Sequence, residues 1–225
     1  MAASSEPRPL TLALPKGRIL EEALPLLAAA GLDLRATVAG AGRRLLVDGP
    51  GARVLLVKPV DVPTYVEHGI ADLGIAGLDT LAEEDRDLYE PIDLGIGACR
   101  LVVAEPEGPP GAPEAPRRRP GAPLRVATKY PRLALRHFRA RGVQAQVIPL
   151  YGSVELGAVT GLADQIVDLV ESGETLRQNN LKEVETILEV TSRLIVHPAS
   201  LKLEQARIEA VLASLRAAVD AARSA

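Results

Sequence analysis

Short apolar runs alternate with segments of helical periodicity along nearly the whole chain, and a polypeptide patterned in this way buries its sheets under helices. The strand-like runs fall at residues 10–14, 43–47, 53–57, 71–75, 124–127, 144–148, 166–170 and 194–196. Helical spacing is read at 19–30, 59–69, 131–141 and 201–222, with further helices opening near Thr80 and at Thr175. The pattern predicts an α/β fold of parallel βαβ units. Gly31 and Gly142 stand where left-handed caps would close helices. The cluster Asp48-Gly49-Pro50-Gly51 has the residues of a hairpin loop. Asp61 could cap a helix whose Pro63 occupies the tolerated first turn. Pro25 lies inside the 19–30 segment and would cost a regular helix roughly 3 kcal/mol, which predicts a kink or a later start. Residues 105–123 are rich in proline, glycine and alanine without apolar periodicity, and are expected to form a loop or hairpin insertion.

A length of 225 residues allows one large α/β domain or two small ones, and 47% hydrophobic with 24% charged residues excludes a chain disordered throughout. The net charge is −3, from 26 Lys and Arg against 29 Asp and Glu, so no global positive field draws nucleic acid. The one basic run, Arg117-Arg118-Arg119, lies among prolines and reads as a solvated loop. Aromatics make up 2% of the chain with no Trp, which argues against stacking platforms for single strands and requires an aliphatic core. The single Cys99 excludes an intrachain disulfide framework and a cysteine-based zinc cluster. Residues 1–9 lack the apolar run of a secretory signal or a membrane span, and are expected to be a flexible tail on a cytoplasmic protein.

A glycine-bearing turn between a strand and a helix exposes backbone N–H groups and can hold phosphate. Residues 171–176, Glu171-Ser172-Gly173-Glu174-Thr175-Leu176, have this layout, with Asp164 and Asp168 upstream as acceptors for sugar hydroxyls. Two readings stand: a phosphate cradle, or Ser172 and Thr175 simply capping a helix. Lys16-Gly17-Arg18 repeats the arrangement after the first strand with two cations, which oppose the dipole of the helix they open and need either a bound anion or solvent to explain them. The stretch from Ala71 to Leu81 echoes that from Asp168 to Leu176, each an apolar strand, a glycine turn and a threonine-opened helix, which suggests two similar lobes. No G-x-G-x-x-G, G-x-x-x-x-G-K-[ST] or G-x-S-x-G motif is present, and His68, His137 and His197 are scattered and read as structural.

Taken together, the pattern resembles the ATP phosphoribosyltransferase family in its short catalytic form. The match runs from Glu155-Leu156-Gly157-Ala158-Val159-Thr160-Gly161-Leu162-Ala163-Asp164 through Ile166-Val167-Asp168-Leu169-Val170 and Ser172-Gly173-Glu174-Thr175-Leu176 to Asn179 and Leu181. Shorter matches are Leu14-Pro15-Lys16-Gly17-Arg18, Asp61-Val62-Pro63-Thr64-Tyr65-Val66-Glu67, Cys99-Arg100, Ala127-Thr128-Lys129-Tyr130-Pro131 and Arg193-Leu194-Ile195-Val196. The resemblance implies transfer of a phosphoribosyl group from 5-phosphoribosyl 1-diphosphate to N1 of the adenine of ATP, the first step of histidine biosynthesis, with release of pyrophosphate. It implies that Ser172, Gly173, Glu174, Thr175 and Leu176, with Glu171, grip the 5-phosphate, and that Asp164 and Asp168, assisted by Glu155, hold the ribose. Lys16, Gly17 and Arg18 would face ATP or the diphosphate, and Arg43 and Lys58 would act catalytically on the leaving group. Mg²⁺ would travel on the diphosphate, with no dedicated protein cage.

The family fold implied is α/β and two-lobed, like type II periplasmic binding proteins, with a substrate cleft between lobes. Domain I is expected at 1–95 and 187–225, and domain II at 96–186. The short form implies a separate regulatory subunit resembling a histidyl-tRNA synthetase, joined in a hetero-oligomer. Neither nucleic acid nor a membrane is an expected partner. Lys58 stands where the family commonly has arginine, Leu78 where it has lysine, Ala158 where it has proline and His197 where it has asparagine. Two other classes share features of the chain. A solute-binding or effector-sensing module would need a secretory signal or a DNA-binding helix-turn-helix, and a purine phosphoribosyltransferase would carry two adjacent acidic residues where Asp168 is followed by Leu169.

Overall fold

In the computed structural model, which describes residues 8–108 and 122–224, the first strand is buried along its whole length. β1 (Leu10–Pro15) sends Leu10, Leu12 and Leu14 into one apolar cluster and Ala13 into another, so both faces of its sheet are covered. The chain continues through α1 (Arg18–Ala29), α2 (Arg35–Ala39), β2 (Leu46–Asp48), β3 (Ala52–Val57), a 3₁₀ turn (Pro59–Asp61), α3 (Val62–Glu67), β4 (Leu73–Gly77), α4 (Leu78–Glu84) and β5 (Tyr89–Asp93). There follow β6 (Cys99–Pro106), β7 (Leu124–Thr128), α5 (Pro131–Ala140), β8 (Ala145–Pro149), α6 (Glu155–Val159), β9 (Gln165–Val170), α7 (Glu174–Gln178) and β10 (Leu181–Val190). The last elements are β11 (Ser192–Val196), α8 (Pro198–Leu203) and α9 (Gln205–Arg223).

These elements form two units. One joins the chain up to Gly97 with the chain from Thr191 onward, and the other is Ala98–Val190. The sequence placed the crossings a few residues earlier, at 95/96 and 186/187. The first unit holds a six-stranded sheet in the order β2-β3-β1-β4-β11-β5, and the second a five-stranded sheet in the order β10-β6-β9-β7-β8. Parallel pairing is confined to β1 with β3 and β4, and to β7 with β8 and β9. The remaining pairs are antiparallel: β2 with β3 is the hairpin that Asp48-Gly49-Pro50-Gly51 led one to expect, and the other four correct the expectation of parallel βαβ construction to mixed sheets.

Local chemistry accounts for several boundaries. α1 closes in a Schellman motif, with Gly31 at φ +87° donating to the Ala28 carbonyl and Leu32 to the Leu27 carbonyl. It begins at Arg18, so Pro25 does not delay its start. Gly74 lets α3 approach β4, because a Cβ there would come within 2.8 Å of methyl groups on both Val62 and Val66. Asp61 occupies the N-cap position of α3 but makes no side-chain cap hydrogen bond.

Other expectations are corrected. The strand expected at 43–47 is shorter, and Arg43 lies in a turn after α2. The strand expected at 71–75 runs two residues later, and its helix opens at Leu78 rather than near Thr80. The long final helix is two helices that break at Glu204. β6 carries regular pairing to Pro106, past the start of the loop expected at 105–123; residues 109–121 of that loop, with Arg117-Arg118-Arg119, and residues 1–7 of the expected tail lie outside the described residues. Among the described residues, no helix is long and apolar enough to cross a membrane.

Candidate functional site

The second unit builds a small cavity at the C-terminal end of β9. Asp168 comes off this strand opposite Val102 of β6, and Val170 and Leu176 both plug into the apolar cluster beneath, so the intervening loop is fixed at its two ends. Gly173 turns the chain with φ +78°, a conformation that disfavours side chains, and forms the N-cap of α7. Its carbonyl accepts from the Arg177 N–H at 3.1 Å. The first N–H groups of a helix have no acceptor within it, which leaves those of Thr175 and Leu176 available to an anion. The cavity measures about 230 Å³ and is lined by Glu155, Asp168 and residues 169–176. That is below the size of a pocket for a whole drug-like ligand and suits one phosphate group.

The capping alternative is only partly met. The cap residue is Gly173, without a side chain, while the Ser172 hydroxyl accepts from the Glu174 N–H at 3.3 Å. Thr175 lies inside the first turn of α7 and is exposed, so it caps nothing. Glu174 does not oppose an anion strongly, because its carboxylate is drawn to Arg177 at 2.5 Å and to the Gln178 amide at 3.0 Å. These contacts hold it below the usual carboxylate range.

Asp168 behaves differently. Burial pushes its carboxyl up from 3.8 to about 6, against the Leu169 N–H that bonds it at 2.8 Å. Nearby Glu155 adds to the rise and Lys129 opposes it. Glu155 is brought in by α6, which packs so closely on β7 that a Cβ on Gly157 would meet the Ala127 Cβ at 2.6 Å. Lys129 follows β7, whose end is secured by the buried Thr128 hydroxyl donating to the Val167 carbonyl at 2.6 Å and accepting from the Tyr130 N–H at 2.8 Å.

Asp164 is not brought to this cavity. It precedes β9 and lies at the opposite end of the strand from the loop, a separation of roughly 20 Å at about 3.3 Å per residue. There it accepts from the Arg125 backbone N–H at 2.9 Å and pairs with the Arg125 guanidinium at 2.6 Å. Parallel strands β7 and β9 present ligands at their carboxyl ends, so the same residue type at the other end serves the fold.

In the first unit, the register gathers cations past the carboxyl ends of β1 and β3. Pro15 pairs with Val57, and the Lys16 N–H extends the ladder to the Val57 carbonyl at 2.9 Å, so Lys16 and Lys58 leave adjacent parallel strands side by side. Both are exposed. Gly17, at φ +94°, caps α1 without a side chain, and Arg18 opens the helix with its Nε 3.9 Å from Glu22. β2 runs antiparallel to β3, with the Leu56 N–H donating to the Leu45 carbonyl at 2.7 Å, so Arg43 lies past the carboxyl end of β3, at the same end of the sheet. Leu78 follows β4 and opens α4 with an apolar side chain, so no cation stands at that position.

Sequence reasoning missed two cations. Lys129 stood in a matching motif, and the β7–β9 register brings it beside Asp168. Arg100 stood in another, and its guanidinium reaches the Glu171 carbonyl at 3.3 Å. Neither had a local pattern to mark it; the family match was the one available signal.

An α/β protein of two such sheets, one ending in a phosphate-sized loop backed by carboxylates and the other in a group of cations, is of the type II periplasmic-binding-protein class in fold. The periplasmic aliphatic sulphonate binding protein SsuA of Escherichia coli shares this architecture with a TM-score of 0.55 at 15% identity, over 97% of this chain and 75% of that one. The family described as HisG, ATP phosphoribosyltransferase, matches residues 58–217. The ATP phosphoribosyltransferase of Sorangium cellulosum is 50% identical over 212 residues, covering 94% of this chain and 96% of the relative. The ATP phosphoribosyl transferase (HisG:HisZ) complex from Thermotoga maritima contains a chain that superposes with a TM-score of 0.78 at 34% identity, over 94% of this chain and 98% of that one. The chain belongs to the ATP phosphoribosyltransferase family, and is an enzyme of the pentosyltransferase type.

Proposed function

We propose that this chain joins N1 of the adenine of ATP to C1 of 5-phosphoribosyl 1-diphosphate, as the catalytic subunit for the first step of histidine biosynthesis. The observation that carries the reading is the loop of residues 171–176, held open at both ends by core side chains with carboxylates beside it. Its backbone N–H groups and the Ser172 and Thr175 hydroxyls take the 5-phosphate. Because α7 has only five residues, these local donors matter more than any dipole.

Asp168, with Glu155 next to it, accepts the ribose hydroxyls and so fixes the sugar ring for attack. The adenine nitrogen forms the new N1–C1 bond as the C1–O bond breaks, and pyrophosphate leaves with the bonding electrons. Lys16, Lys58 and Arg43 stabilise the charge that collects on the leaving group, and Gly17 and Arg18 present the start of α1 to ATP or the diphosphate. Asp164 takes no part at the cavity. Mg²⁺ is proposed to arrive on the diphosphate and to supply charge neutralisation there. No dedicated protein cage is proposed for the ion, which keeps much of its water and follows the phosphates.

A regulatory subunit is proposed as a partner in a hetero-oligomer, which the Thermotoga maritima HisG:HisZ complex supports; its likeness to a histidyl-tRNA synthetase is part of the proposal alone. A cytoplasmic location belongs to the same proposal.

The test is pyrophosphate release from the diphosphate sugar with Mg²⁺ and the partner subunit, using ATP and, separately, adenine, guanine and hypoxanthine. Turnover with ATP alone is expected. Turnover of a free base instead would assign the chain to purine salvage chemistry, and ligand binding without turnover would make it a binding module. Thr175→Ala is expected to weaken the diphosphate sugar more than ATP in calorimetry; equal losses would remove the 5-phosphate from this loop.

A further inference from the structure

We propose that Arg100 is the positioning residue that sets the backbone of the phosphate loop, acting from outside the cavity through the Glu171 carbonyl and itself held in place by Glu183. This rests on the reading of residues 171–176 as the site of the donor's 5-phosphate, and it adds a residue that the reading does not assign.

Arg100 lies near the start of β6 and pairs with Val170, the last residue before the loop. Its guanidinium spans two elements. Nε lies 3.1 Å from both carboxylate oxygens of Glu183 on β10, and Nη2 donates to Glu183 Oε2 at 2.7 Å. Nη1 donates to the Glu171 carbonyl at 3.3 Å. Glu183 is itself steadied by the Thr186 hydroxyl, which donates to Oε1 at 3.1 Å. A planar fork with several fixed donors can hold a carboxylate and a carbonyl at once, whereas an ammonium is a point charge.

The consequence for the loop follows from the peptide unit. The Glu171 carbonyl and the Ser172 N–H belong to one planar trans peptide and point in opposite directions. Capturing the carbonyl on the β10 side therefore turns the Ser172 N–H away from Arg100. Ser172 lines the cavity and Arg100 does not. The guanidinium thus orients an anion donor without touching the anion, and Glu183 orients the guanidinium.

The test compares wild type with Arg100→Ala, Arg100→Lys and Glu183→Gln, and with Arg100→Ala combined with Glu183→Gln. Calorimetry measures binding of 5-phosphoribosyl 1-diphosphate and of ATP, and thermal unfolding monitors the fold. Arg100→Ala is expected to weaken the diphosphate sugar about tenfold, as for loss of one charge-assisted hydrogen bond, while ATP changes less than about twofold. Arg100→Lys should recover less than half of the loss, and the double variant should be no weaker than Arg100→Ala alone, because Glu183 acts through Arg100. Unchanged donor binding, equal losses for both ligands, or additive losses in the double variant would overturn the assignment of Arg100. Failure of the wild type to bind the diphosphate sugar at all would instead overturn the reading of the loop, and this inference with it.

Discussion

Arg8 closes on Asp72 with both terminal guanidinium nitrogens, at 2.8 and 2.6 Å, across 64 residues of sequence. Asp72 is 1% exposed and also accepts from the Thr11 N–H at 2.8 Å and the Ser200 hydroxyl at 2.6 Å. One carboxylate thus ties the segment before β1, β1 itself and α8 to the approach to β4. Burial alone would raise its pKa, but the bonds from Arg8, Ser200 and Thr11 outweigh it and hold the group below 3.8.

Asp72→Asn is therefore expected to cost about 2–3 kcal/mol in urea unfolding at pH 7, since it takes their charged acceptor from the buried Thr11 N–H and Ser200 hydroxyl and ends the ion pair with the exposed Arg8. The sign with pH follows from the lowered folded value. The wild-type advantage is fully present above 3.8 and shrinks as the pH falls through the folded pKa. An advantage that grew on acidification would contradict this assignment.

Asp168 gives the opposite sign. Its folded pKa of about 6 lies above 3.8, so ionising it in place weakens the fold progressively between those values and by a constant amount above them. Asp168→Asn should stabilise the ligand-free protein by about 1–3 kcal/mol at pH 7, with the gain vanishing below pH 3.8, while binding of the diphosphate sugar is lost. Wild-type affinity for that ligand should also fall as the pH drops through about 6. A variant that is less stable at pH 7 would refute this.

Gly157→Ala places a methyl group 2.6 Å from the Ala127 Cβ, so α6 must lift from β7. A cost of about 1–3 kcal/mol is expected from such overpacking. Because α6 carries Glu155, donor affinity should fall several-fold in the same variant. Calorimetry showing full affinity together with lowered stability would separate Glu155 from the site.

Gly173 has room for a side chain but the wrong backbone angle for one, with φ +78° and its nearest neighbour 3.8 Å away. Gly173→Ala should cost about 1 kcal/mol and weaken the diphosphate sugar, and Gly173→Asn should recover part of both, since asparagine tolerates the left-handed region. Circular dichroism melts and calorimetry on the two variants provide the comparison.

Strands with short apolar runs bounded by turn residues were legible, and the largely buried β1, β3, β7 and β9 and the edge strand β8 appear close to where the sequence puts them. β10 was not, since bulges between Glu183 and Glu185 and between Thr186 and Leu188 break the alternation that marks a strand, and its exposed face is charged as befits a sheet edge. α2 and α6, with five residues each, are too short to show a helical period. Strand direction leaves no local trace except in a tight hairpin, which is why the β2–β3 pair could be read from its Asp48-Gly49-Pro50-Gly51 turn while the other antiparallel pairs went unread. At the site, the glycine turn and Asp168 could be found from residue type and spacing. Asp164 looked equivalent in one dimension and was separated from Asp168 by the length of β9. Arg100 and Lys129 owe their places to pairing between strands distant in sequence, which spacing along one segment cannot encode.

The division of labour along β9 bears on how the enzyme tolerates change. Its leading carboxylate is committed to Arg125 and its trailing one to the cavity, so the strand keeps its anchorage and its chemistry in separate hands. Drift at the anchoring end should register as shorter lifetime of the folded protein with catalysis per molecule intact, and drift at the other as lost turnover in a sturdier protein. An engineer can therefore weaken the fold at the first of these carboxylates without touching turnover, whereas at the second any gain in robustness comes at the expense of activity.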